Sequence, residues 1–226
     1  MKRTELETAG HPRPRHIVWD WNGTLQDDVH AAVNGINHLL VQRGLPTVDI
    51  DRHRRLFSFP VRNYYTALGF KLEQENWERL SKDFIDAFLR DEPYELFHGA
   101  RAALEALHDN GVAMSVLSAS EQSTLDASLA RHGLRDFFCN VKGLDNHGAA
   151  SKVHLAESLF ARIGGPFDDV WIVGDTTHDK EVADAAGCQC LLLACGYQSQ
   201  ERLLACGCDV LDSIANVPAF FGCKSN

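Results

Sequence analysis

The runs His16–Trp19, Val112–Leu117, Val170–Val173 and Cys190–Leu193 constrain this chain more than any other feature of it. Each is close to continuously apolar rather than alternating, and segments with helical periodicity separate the last three. A strand that is apolar on both faces has to be covered on both faces, as in a parallel sheet sandwiched between helices. Helices are expected over 99–110, closing at Asn110-Gly111, over 121–132, over 151–163, closing at Gly164-Gly165-Pro166, and over 178–186, closing at Gly187. Residues 209–211 read as a last short strand and 213–221 as a last helix. The expected fold is α/β, a Rossmann-like doubly wound parallel sheet.

The first strand stands apart from the others. Between them, residues 28–96 carry only helical spacing. Val29, Val33, Ile36, Leu39 and Leu40 mark one helix, and shorter ones are expected over 49–56 and 60–68. Trp77, Leu80, Phe84, Phe88 and Leu89 mark another before Pro93. The domain organisation expected is therefore an α/β core over 15–27 and 97–226, with 28–96 inserted as an all-helical domain. Residues 1–14 are polar, with Pro12 and Pro14, and read as a flexible tail.

Charge and cysteine usage narrow the function. A formal net charge of −9 lacks the basic footprint of a nucleic-acid binder. The same field repels anionic substrates, so a phosphorylated ligand needs a local cation or a few placed basic side chains. No apolar run reaches the ~18 residues of a membrane span, and no apolar core follows the charged N-terminus as in a secretory signal. A cytoplasmic protein without membrane contact is the expectation, a monomer or homodimer. Of seven cysteines, Cys188-x-Cys190 and Cys206-x-Cys208 lack the usual zinc-ligand spacing, and they read as reduced, mostly buried thiols.

In open parallel α/β sheets, ligands bind beyond the carboxyl ends of the strands. The polar residues expected there are Asp20, Ser118 and Asp175, with Asp179 four residues on and Lys152 opening a helix in the same half. A carboxylate nucleophile, an acidic pair able to hold magnesium, a hydroxyl and an ammonium suit phosphoryl transfer, which needs an in-line attacker and positive charge on the non-bridging oxygens.

These residues also form a recognisable set. Asp20-Trp21-Asn22-Gly23-Thr24-Leu25 resembles D-x-D-x-T, the first motif of the haloacid dehalogenase-like (HAD) hydrolase superfamily. Val116-Leu117-Ser118, Lys152 and Gly174-Asp175-Thr176-Thr177-His178-Asp179 resemble its second, third and fourth motifs, and Ala185-Ala186-Gly187 resembles the tail that often follows. The likeness is strongest to the phosphoglycolate phosphatase-like branch, in which a helical cap is inserted between the first two motifs. The resemblance implies an Mg2+-dependent phosphatase acting on a small phosphorylated metabolite. It implies Asp20 as the nucleophile that becomes an aspartyl phosphate. Asp20, Asp175, Asp179 and the backbone carbonyl of Asn22 would be the metal ligands. Thr24, Ser118, Ala119 and Lys152 would hold the phosphate, with Lys152 also pairing with Asp20. Arg62, in the segment Phe57–Tyr64, is the expected substrate-binding side chain from the cap.

One departure matters. Asn22 stands where relatives have an aspartate that protonates the leaving group and activates water. An amide does neither, and general acid–base help is worth ~10²–10⁴-fold. The sequence leaves three accounts open. The substrate could have a leaving group that needs no acid, as an acyl phosphate does. Another group, such as His178 or a cap residue, could substitute. Or the protein could bind phosphorylated ligands with little or no turnover. Restoring the carboxylate with Asn22→Asp is expected to raise turnover of alkyl and aryl phosphates.

Overall fold

A computed structural model describes residues 11–144 and 152–224 of the chain, without the side chains of residues 152–154. The core strands are β1 (His16–Trp19), β4 (Ala113–Glu121), β5 (Asn140–Leu144), β6 (Val170–Gly174), β7 (Gln189–Leu193) and β8 (Asp209–Leu211). They form one sheet in the order β5-β4-β1-β6-β7-β8, with every pairing parallel. The chain builds outward from β1 in one direction and then in the other, so the fold is doubly wound, as expected, and β1 sits at the reversal point.

Alternate residues of each strand face opposite sides. Ile17, Trp19, Met114, Val116, Trp171, Val173, Leu191 and Leu193 bury one face. Its cover comes from α5 (Ala100–Asp109), α6 (Gln122–Arg131) and α10 (Val217–Phe220). Val18, Leu117, Ile172, Cys190 and Leu192 bury the other face beneath α7 (Lys152–Ile163), α8 (Thr177–Ala186) and α9 (Gln200–Leu204). The two-sided burial accounts for the near-continuous apolar runs.

Between β1 and the rest of the core run α1 (Val29–Gln42), α2 (Ile50–Leu56), α3 (Val61–Ala67) and α4 (Trp77–Phe88). Ile36, Leu39 and Leu40 of α1, Tyr64 and Tyr65 of α3, and Leu80 and Ala87 of α4 close a separate apolar cluster. This segment is bracketed by β2 (Gln26–Asp27) and β3 (Glu95–Leu96), which pair antiparallel with Asp27 opposite Glu95. β3 lies within the stretch expected to hold no strand; two residues are too few to show a period of two.

Three further differences have physical causes. The edge strand β5 was not expected, because Asn140 and Lys142 dilute its apolar pattern, as edge strands commonly require. β4 runs on to Glu121 rather than stopping at Ser118, with an irregular register between Leu117 and Glu121. Residues 11–14 are not a loose tail: the His11 N–H donates to Phe220 O at 2.9 Å, its ring stacks on Phe220 at 4.5 Å, and Pro14 is buried. The cysteines form no disulfide. Cys190 and Cys223 are buried, but Cys139 is exposed.

Candidate active site

Trp19 is level with Val116 of β4 on one side and Val173 of β6 on the other. The next residue, Asp20, is therefore set between the carboxyl ends of two neighbouring strands, and its N–H donates to Val173 O at 2.9 Å. Asp175 follows β6 directly, and Asp179 lies in the first turn of α8. One carboxylate oxygen from each of Asp20, Asp175 and Asp179 falls within 4.8 Å of the others. Asp20 is only 9% exposed, and Asp175 and Asp179 are fully buried.

Three buried carboxylates at one point repel one another. Burial, then Asp20, then Asp179 push the Asp175 carboxyl well above its usual range. A hard divalent cation relieves that strain, and an all-oxygen donor set suits magnesium. The residues present thus fit the metal that the sequence implies.

The cluster is closely fitted. Asp175 accepts from Thr24 Oγ1 at 3.0 Å and from the Tyr197 N–H at 2.6 Å. A Cβ on Gly196 would stand 2.0 Å from Asp175 Oδ2 and 2.4 Å from Gly23 O. Gly23 itself has φ +74° and packs against the Tyr197 ring. Asp179 also serves its own helix. Its Oδ2 accepts from the Thr176 N–H at 3.1 Å and from Thr176 Oγ1 at 2.8 Å, which caps α8. Helix-capping acid and cluster member are the same side chain.

The other expected residues fare unevenly. Ser118 is buried within β4; its Oγ accepts from the Ser120 N–H at 3.0 Å and lies 3.4 Å from Asn22 Oδ1. Ala119 is exposed beside it. Thr24, expected on the phosphate, spends its hydroxyl on Asp175. Lys152 opens α7, but its side chain lies outside the described residues. Arg62 stacks 4.1 Å from the Trp77 ring, within the helical segment's own packing. His178 is held by Glu181 at 2.9 Å and by the Phe59 ring at 5.0 Å.

Residues that no sequence pattern singles out complete the site. Arg54 of α2 donates to Gly196 O at 2.8 Å and to Cys195 O at 2.6 Å, and Gln198 Nε2 donates to Phe57 O at 3.0 Å. The helical segment is thereby fastened to the loop after β7. Asp28 is buried beside Asn22, and burial raises its carboxyl to about 6 against the lowering effect of its hydrogen bonds. Tyr197 joins the two acidic groups: its N–H meets Asp175 and its hydroxyl donates to Asp28 at 3.1 Å. Burial and these neighbours keep that hydroxyl protonated.

Known proteins share this architecture and part of this sequence. The family model for haloacid dehalogenase-like hydrolases matches residues 17–193. A phosphoglycolate phosphatase of Caulobacter vibrioides is 30% identical over 212 residues, covering 89% of this chain and 88% of that protein. Among solved structures, Protein Tyrosine Kinase A of Mycobacterium tuberculosis superposes with a TM-score of 0.76 at 22% identity, covering 93% of this chain and 99% of that one. A haloacid dehalogenase-like family hydrolase from Streptococcus pneumoniae superposes with a TM-score of 0.71 at 20% identity, over 92% and 98% of the two chains.

Proposed function

The chain belongs to the haloacid dehalogenase-like hydrolase family, in its phosphoglycolate phosphatase-like branch, and is a phosphatase; from that premise we propose that it hydrolyses a small phosphomonoester by way of an aspartyl phosphate on Asp20. The observation that carries this reading is the buried convergence of Asp20, Asp175 and Asp179 at the carboxyl ends of β1 and β6. An Asp20 oxygen attacks phosphorus, the bond to the leaving alcohol oxygen breaks, and the phosphoryl group rests on the carboxylate. Water then attacks phosphorus, freeing inorganic phosphate and the Asp20 carboxylate.

Asp20, Asp175, Asp179 and the backbone carbonyl of Asn22 would hold magnesium, which supplies positive charge against the non-bridging phosphate oxygens. Thr24 and Tyr197 orient Asp175. Ser118 and Ser120 line the approach to the phosphate, and Lys152 is the ammonium that the sequence offers to pair with it. We read residues 28–96 as a cap over residues 15–27 and 97–226. Arg54 and Phe57 hold it down at the loop after β7, which keeps bulk water from the acyl phosphate. No carboxylate stands at position 22 to protonate the leaving group, so alkyl phosphates turn over slowly and acyl phosphates faster.

The test is phosphate release from a panel of phosphomonoesters, phosphoglycolate included, and of acyl phosphates. Activity in Mg2+ that disappears with EDTA and returns with added metal is expected; turnover undiminished in EDTA overturns the reading. Metal binding has its own readout. A cation that neutralises the buried carboxylates binds the folded state alone, worth about 2.7 kcal/mol at a hundredfold excess over Kd. In a chain of this size the melting temperature should rise by about 5–10 °C, and Asp175→Asn should remove most of that rise.

A further inference from the structure

The side chain at position 22 is gripped from two sides. Asn22 Nδ2 donates to Asp28 Oδ2 at 2.5 Å. Its Oδ1 accepts from Ser120 Oγ at 2.6 Å and lies 3.4 Å from Ser118 Oγ. Asp28 also accepts from the Gly23 N–H at 3.0 Å, from Gln26 Nε2 at 3.0 Å and from Tyr197 Oη at 3.1 Å. A carboxylate surrounded by four donors is acting as an acceptor only. The amide therefore has to present its NH2 to Asp28 and its carbonyl to the serines.

Asp28 stands at the N-cap of α1 yet makes no capping hydrogen bond. At 1% exposure it is a buried carboxylate, which is costly unless every oxygen is satisfied. Its acceptors are spent on the loop that follows the nucleophile and on Tyr197 rather than on the helix it begins. Gln26 ties the same carboxylate to Ser128 of α6, whose Oγ donates to Gln26 Oε1 at 2.7 Å.

We propose that Asp28 is a positioning residue for phosphoryl transfer: it fixes the Asn22 amide with Oδ1 turned to Ser120 and Ser118, and makes an amide, not a carboxylate, the group this site requires at position 22. Asn22 and Asp28 are a matched donor and acceptor, and the negative charge missing from position 22 stands one side chain deeper. With aspartate at both places, two carboxyl groups would meet at hydrogen-bond distance and could stay there only by sharing a proton, which removes the charged form of one of them. This replaces the expectation drawn from sequence that Asn22→Asp alone raises turnover. The inference rests on the reading of Asp20 as nucleophile.

The test is a four-protein cycle: the native chain, Asn22→Asp, Asp28→Asn, and the exchanged pair Asn22→Asp with Asp28→Asn. Asn22→Asp sets acceptor against acceptor, and Asp28→Asn leaves one acceptor too few, because its single carbonyl oxygen can serve Asn22 Nδ2 or the Gly23 N–H but not both; the exchange restores one donor and one acceptor, with Gln26 turning its amide so that Oε1 meets the introduced NH2 and Nε2 meets Ser128 Oγ. Each single variant should lose about tenfold or more in kcat, with KM changed far less, and the exchanged pair should recover to native kcat or above. Melting temperatures should follow the same pattern, low in the singles and recovered in the pair, which keeps the test valid if a single variant folds poorly. Losses that simply add in the pair, or a rise in kcat for Asn22→Asp alone, overturn the proposal. Asp20→Asn is introduced into the native and exchanged proteins alongside. Activity surviving there refutes the nucleophile and not the pairing, which the melting temperatures still report.

Discussion

Asp20→Asn should abolish phosphate release, by on the order of 10⁴-fold or more, the scale on which hydrolases fall when a member of the reacting group is removed. The amide is nearly the same shape as the carboxylate, so packing around β1 is preserved and the loss falls on chemistry. The substitution also withdraws one negative charge from a buried set in which Asp20 helps to raise the Asp175 carboxyl. Without divalent metal, the variant should therefore melt no lower than the native protein. An inactive protein with undiminished stability separates loss of the nucleophile from loss of the fold. Phosphate release and thermal melting measure the two, and activity within tenfold of native would show that some other group attacks.

The second large effect is expected at a residue with no side chain of its own. Gly196→Ala puts a methyl group 2.0 Å from Asp175 Oδ2 and 2.4 Å from Gly23 O, so either Asp175 or the loop after β7 must move. Displacement of a reacting or ligating group by about 1 Å can cost on the order of 10²-fold in rate. The variant should show at least that loss in kcat, together with weaker metal binding, because Asp175 also accepts from the neighbouring Tyr197 N–H. Titrating activity with Mg2+ reads both. Native kcat at saturating metal would mean that the loop absorbs the methyl group without disturbing the carboxylate.

What could be read from the sequence follows from how parallel sheets are built. Strands buried on both faces leave unbroken apolar runs, and the polar residue that ends each run lies on the ligand-binding rim, so Asp20 and Asp175 were legible from the letters alone. Asp179 was legible as the second acid of the pair expected at the metal; that the same side chain also caps α8 by way of Thr176 needed geometry. Nothing local marks Asp28, because aspartate before a helix usually serves as its cap. Its real partners include Tyr197, 169 residues away in sequence, and no local pattern encodes that contact. Arg62 of α3 was expected at the substrate, whereas nothing marked Arg54 among the basic letters of α2. Packing sent one to the Trp77 ring and the other to the carbonyls of Cys195 and Gly196. The short β2–β3 pair and the polar edge strand β5 escaped because neither is long or apolar enough to mark itself.

That short pair has a consequence for descent. The chain leaves the core at Gln26–Asp27 and returns at Glu95–Leu96, adjacent in space and hydrogen-bonded to each other. Everything between enters and exits through one doorway, so insertions, deletions or wholesale exchange between those points need not shift the register of any core strand. Asp20 and Asp175 lie on one side of that doorway, and the helices α1 to α4 lie on the other. With those helices as the cap proposed above, bond-breaking chemistry and choice of molecule can be inherited separately, one held fixed while the other drifts.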